Sequence, residues 1–134
     1  LAKAEQEVDI TKVSPQQLQE LNKAIEGEVK VLTQSYQQLY GANQKFQEST
    51  KVLSYIEQRG GEREMMVPMT SSLYVPGVMD DNKNVMVEVG AGFFVEKDIN
   101  GAKEYCARKT KTLEDNIQKV GNFTNAKKLH LQKI

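Results

Sequence analysis

The chain has 134 residues, 39% hydrophobic and 27% charged, with no tryptophan, one cysteine and a formal net charge of zero. That length suits one domain, and the composition excludes a disordered chain. No run approaches the ~18 apolar residues of a membrane-spanning helix, and a lone thiol forms no internal disulfide, which fits a reducing compartment.

The opening segment, LAKAEQEVDI, lacks a basic stretch followed by an apolar core, so no export signal is expected. Leu1 in place of methionine suggests a chain that starts further upstream. The first clear element begins at VSPQQL: Ser14 reads as an N-cap, Pro15 as the first helical residue, and Gln17 as the third residue of a capping box. Val13 and Leu18 stand at the flanking staple positions. An apolar seam follows through Leu18, Leu21, Ile25, Val29, Leu32, Tyr36, Leu39, Asn43, Phe46, Thr50 and Leu53. Its steps alternate three and four, a heptad rhythm with one stutter between Leu21 and Val29. Gly60 and Gly61 end it. The expectation is a helical arm over 14–58, about 66 Å long at 1.5 Å per residue.

Next come four short apolar stretches that read as strands: EMMVPM (64–69), SLYVPG (72–77), NVMVEV (84–89) and FFVEK (93–97). The turns are expected at 70–71, 78–83 and 90–92, giving two hairpins. Val85, Val87 and Val89 share one face, with Met86 and Glu88 on the other. Leu73 and Val75 likewise oppose Tyr74, and Phe93 and Val95 oppose Phe94. Pro68 and Pro76 belong at edges or strand ends, because each lacks a ladder donor. Sheets this short are marginal alone, and Tyr74, Phe93 and Phe94 each bring ~150–250 Å² of mostly apolar surface. Closure against strands of other chains would turn that surface into a barrel core, so the insert over 64–97 reads as an obligate assembly element.

A second helical arm is expected over 98–134, capped by Asp98, with the seam Cys106, Thr110, Leu113, Ile117, Val120, Thr124, Lys127, Leu131 and Ile134. Ending on a seam position, that arm reads as cut short. Cys106 fits a small buried apolar residue. The two arms fold back as an antiparallel coiled coil, with Leu39 opposite about position 118 and Leu131 opposite about 26. The fold class is therefore α+β: a long antiparallel coiled-coil hairpin of two helices with two short β-hairpins between them, one domain over 1–134. Both seams lose regularity at the end far from the strands, where Gly27 meets Lys127. Either the ends simply fray, or loosely paired ends leave Val8, Ile10, Val13, Leu18, Leu129, Leu131 and Ile134 open to another molecule.

Residues 101–134 carry eight basic groups against three acidic ones. These fall around several sides of a helix without interleaved aromatics, so a solvated face is expected rather than a nucleic-acid site. Other motifs fail on their own chemistry. GAGFFV leads into a strand and lacks the third glycine of a dinucleotide loop. In DDNKNV, Val85 stands where a calcium loop needs glycine and Ala91 where it needs a bidentate carboxylate. NFT, at 122–124, lies in the helical seam. Cys106 and His130, 24 residues apart on one helix, are about 36 Å apart and share no chemistry. No catalysis, metal or cofactor is expected.

The order helix, VPMTSSLYVPG, VMVEVGAGFFVEKD, helix resembles the alpha class of prefoldin subunits, over roughly residues 8–134. Within that class TSSLYVPG is similar to the eukaryotic subunit-5 branch. The resemblance implies a hetero-hexamer of two alpha-class and four beta-class subunits, joined by a strand platform. Its arm tips hold unfolded actin and tubulin and pass them to the cytosolic chaperonin without ATP, in the cytoplasm or nucleus. It further implies platform roles for Leu73, Tyr74, Val75, Val87, Val89, Phe93, Phe94 and Val95, and client or chaperonin contacts for the distal residues. The rival expectations are a coiled-coil scaffold or transcription-associated adaptor and, through the basic second arm, a nucleic-acid binder.

Overall fold

The computed structural model describes residues 12–80 and 83–133. Two long helices enclose two antiparallel hairpins in the order α1 (Pro15–Arg59), β1 (Arg63–Pro68), β2 (Tyr74–Met79), β3 (Asn84–Gly90), β4 (Phe93–Asp98) and α2 (Ile99–Lys133).

Each helix starts where its local chemistry places the start. At α1 the Gln17 amide N–H donates to Ser14 Oγ at 3.4 Å, and the Ser14 N–H donates to Gln17 Oε1 at 3.2 Å. This reciprocal pair satisfies two donors that the first turn leaves free. At α2 the Gly101 N–H donates to Asp98 Oδ1 at 3.1 Å. A Cβ on residue 101 would lie 2.6 Å from that oxygen, so the cap depends on glycine there.

The chain forms two compact units, one of Leu1–Gly41 with Glu114–Ile134 and the other of Ala42–Leu113. Within the first, the helices run antiparallel. The Cβ direction of Gly121 meets Tyr36 Cε2 at 3.8 Å, and Lys127 Nζ lies 2.9 Å from Glu28 Oε2. Ile25 and Thr124 are buried, while Leu18, Val29, Leu32, Leu39, Ile117, Val120 and Leu131 are half-buried. The buried Thr124 hydroxyl donates back to the Val120 carbonyl at 2.7 Å, so it needs no partner across the seam.

In the second unit the core is Leu53, Ile99, Ala102 and Cys106, bordered by Phe46, Ile56, Tyr105, Val85 and Val87. Lys103 pairs with Glu57 across the two helices. Asn43 is buried at its seam position, and its side-chain oxygen has no hydrogen-bond partner among the described residues.

The strands require correction. β1 pairs with β2 from Arg63↔Met79 to Pro68↔Tyr74, so β2 covers 74–79 rather than 72–77, and the turn spans 69–73 rather than 70–71. Thr70 is the reason: its Oγ1 accepts from the Leu73 N–H at 3.1 Å and from the Ser72 N–H at 3.4 Å, holding TSSL as a turn. Val78 and Met79, expected in a loop over 78–83, are strand. β3 pairs with β4 from Asn84↔Asp98 to Gly90↔Phe93, with a bulge between Glu88 and Gly90. Ala91 (φ 50°) and Gly92 (φ 76°) make the two-residue turn, a conformation that matches strand twist and favours glycine. The bulge takes Val89 out of strict alternation, so it does not share the sheltered face of Val85 and Val87.

Candidate assembly surface

The two hairpins are separate two-stranded sheets. In the second, alternation sets Val85, Val87, Val95 and Lys97 on one face and Met86, Glu88, Phe94 and Glu96 on the other. Val85 and Val87 of the first group pack on the Leu53–Ile99–Ala102–Cys106 core. Tyr105 braces the same hairpin: its ring meets Phe46 edge-on, with centroids 6.4 Å apart, and its hydroxyl donates to the Glu88 carbonyl at 3.4 Å. This hairpin is anchored on one face and open on the other.

The first hairpin has no such anchor. Met65, Val67 and Val75 lie on one face and Met66, Tyr74 and Val78 on the other, and all six are exposed. A shallow groove of about 550 Å³ runs along it, lined by Glu64, Met65, Met66, Pro76, Gly77 and Val78. Its prolines fit the ladder. The Met69 N–H donates to the Leu73 carbonyl at 2.8 Å, which makes 67↔75 and 65↔77 the hydrogen-bonded pairs by alternation. Pro68 and Pro76 then fall in the non-bonded pairs, where an N–H would point away from the partner strand.

Of the residues singled out from sequence, Leu73, Tyr74, Val75, Phe93, Phe94 and Val95 are exposed, from 42% for Val95 to 71% for Phe93. Val89 is exposed at the bulge. Val87 is placed differently, against the chain's own helical core. Sequence reading missed Met65, Met66, Met69, Val78 and Met86, all exposed in the same insert. A signal was available: all five methionines of the chain lie between 65 and 86. Methionine is an adaptable filler of irregular apolar contacts. Of the distal residues, Leu129 is exposed, Val13, Leu18 and Leu131 are half-buried, and Val8, Ile10 and Ile134 lie outside the described residues.

Neither hairpin arranges groups for chemistry. What the insert offers is apolar area, exposed backbone edges and a few charges. Among the described residues no helix is long and apolar enough to cross a membrane.

Comparison with known proteins agrees with that geometry. A family model described as prefoldin subunit matches residues 25–134. The probable prefoldin subunit 5 of Drosophila melanogaster is 34% identical over 126 residues, covering 94% of this chain and 71% of that protein. That of Schizosaccharomyces pombe is 35% identical over 136 residues, covering 100% and 88%. Human prefoldin subunit 5 is 34% identical over 115 residues, covering 86% and 75%. Among solved structures, a chain of the filamentous PFD from Methanocaldococcus jannaschii superposes with a TM-score of 0.76. It is 17% identical, with 86% of this chain and 95% of that chain covered.

Proposed function

The chain belongs to the prefoldin family, and from that premise we propose that it is an alpha-class subunit of a hetero-hexameric, ATP-independent holdase. The observation that carries this reading is the first hairpin, whose two apolar faces are both bare. A lone two-stranded hairpin is at best marginally stable in water, and one with apolar residues on both sides is a liability unless other strands cover it. Alpha- and beta-class neighbours supply those strands, and the joined hairpins form a platform.

The paired helices do the holding. Non-native proteins share no sequence, so a holdase needs small adaptable apolar contacts, each weak and multiplied by several arms. Leu129 is exposed and Val13, Leu18 and Leu131 are half-buried, which supports such a role for residues near the start of α1 and the end of α2. Unfolded actin and tubulin are the clients, and the cytosolic chaperonin takes them over by competing for the same surfaces. The subunit acts in the cytoplasm or nucleus and carries out no catalytic step.

The test is reconstitution with the partner subunits, followed by light scattering of actin diluted from denaturant. Suppression of aggregation without nucleotide is expected; no suppression, or suppression only with ATP, would overturn the holdase reading.

A further inference from the structure

All five methionines of the chain stand between Met65 and Met86, and none lies on either helix. Met65, Met66, Met69 and Met86 are 43% to 64% exposed, and Met79 is half-buried. The strand register sets where they stand. Met65 lies across from Gly77, and glycine has no side chain to cover it. Met66 lies on the opposite face, across from Pro76. Met86 stands on the open face of the second hairpin, across from Glu96, and Met69 stands in the turn just past β1. The first hairpin thus carries an exposed methionine on each face.

The remaining sulfur is placed in the opposite way. Cys106, the only cysteine, is 5% exposed within the Leu53–Ile99–Ala102 core. A peroxide that meets the isolated subunit therefore finds thioethers rather than a thiol. A thioether also reacts without first ionising, as a thiol must. Its sulfur lone pair attacks one peroxide oxygen, and an S–O bond forms as the O–O bond breaks. The departing hydroxide takes the proton of the transferred hydroxyl and becomes water. Sulfur is oxidised, peroxide is reduced, and a flexible apolar side chain becomes a polar one. Burying that new oxygen without a donor weakens an apolar contact about tenfold or more.

We propose that Met65, Met66, Met69 and Met86 form an oxidation site of the unassembled subunit. Peroxide converts them to sulfoxides, the oxidised subunit no longer enters the complex, and a completed complex shelters them. This rests on the assembly reading above and adds a chemical modification that governs which subunits assemble. The change is reversible, because methionine sulfoxide reductases return each sulfoxide to a thioether, oxidising a dithiol to a disulfide and releasing water. Peroxide thus withdraws free subunit and spares complex already made.

The test treats the subunit alone with hydrogen peroxide and removes the oxidant with catalase. Peptide mass spectrometry then locates the added oxygen before untreated partner subunits are mixed in. Oxygen is expected on Met65, Met66, Met69 and Met86 before Cys106 reacts, with helical circular dichroism unchanged. The oxidised subunit should join its partners about tenfold more weakly or worse by native mass measurement, and treatment with both reductases should restore the hexamer. The same dose given to finished hexamer should modify these methionines far more slowly. An oxidised subunit that assembles as well as the untreated one, or methionines that react equally fast in the hexamer, overturns the proposal and leaves the assembly reading standing. An untreated subunit that forms no complex takes down both. Met65→Leu, Met66→Leu, Met69→Leu and Met86→Leu combined keep apolar bulk without sulfur, and that variant should assemble whether or not it has met peroxide. Loss of its assembly to peroxide would assign the effect to another group and overturn the proposal.

Discussion

The two hairpins are built alike and situated differently. Both are antiparallel pairs of short strands with apolar residues on both faces. One rests Val85 and Val87 on the helical core and is braced by Tyr105; the other rests on nothing described in this chain. Hairpin stability therefore comes from what covers a face rather than from strand content. The anchored hairpin is part of the subunit's own fold, and the bare one awaits completion by a neighbour.

Substitutions separate the two. The largest effect is expected from Tyr74→Asp combined with Phe93→Asp, which puts a charge into the proposed interface from each hairpin. Hexamer should vanish from a sizing column while helical circular dichroism is kept; unchanged elution would break the platform reading. Next is Val87→Asp, which buries a carboxylate against the Leu53–Cys106 core. It should destabilise the isolated chain by about 2–4 kcal/mol in denaturant unfolding. Val75→Asp on the bare hairpin should shift it by less than about 0.5 kcal/mol. Equal losses from these two would erase the distinction between the hairpins.

Smaller effects sharpen it. Gly101→Ala drives a methyl into the Asp98 carboxylate and should cost about 1 kcal/mol by weakening the cap where β4 passes into α2. Thermal unfolding checks this, with Asp98→Ala as the comparison. Asn43→Leu removes a buried oxygen that has no described partner and should raise stability by about 1 kcal/mol. Asn43 lies outside the hairpins, so exchange in the first hairpin should stay as it was.

Much of the helical part was legible from residues. Ser14 and Gln17 define the start of α1 by local hydrogen bonding, and the heptad seam picks out the sheltered side except at Leu21 and Tyr36, which are exposed. Tyr36 against Gly121 is the pairing that the fold-back register implies. Strand limits were less legible. Pro76–Gly77 looks like a strand end, yet Gly77 sits mid-strand, where Val67 leans over it and would meet an added Cβ at 2.9 Å. The unequal anchoring of the hairpins left no mark in the pattern, because Val75 and Val87 occupy similar alternating runs. Only the contact with Leu53, Ile99 and Cys106 tells them apart, and such long-range packing has no local signature.

The most direct measurement is amide exchange of Val67, Val75 and Gly77, compared with Val87 and Val95, in the dilute monomer and in the reconstituted complex. The inward amides of the first hairpin should exchange rapidly in the monomer, while those of the second are protected by their helical support, and both sets should be slow in the complex. A monomer whose first hairpin is already as protected as its second would contradict the account.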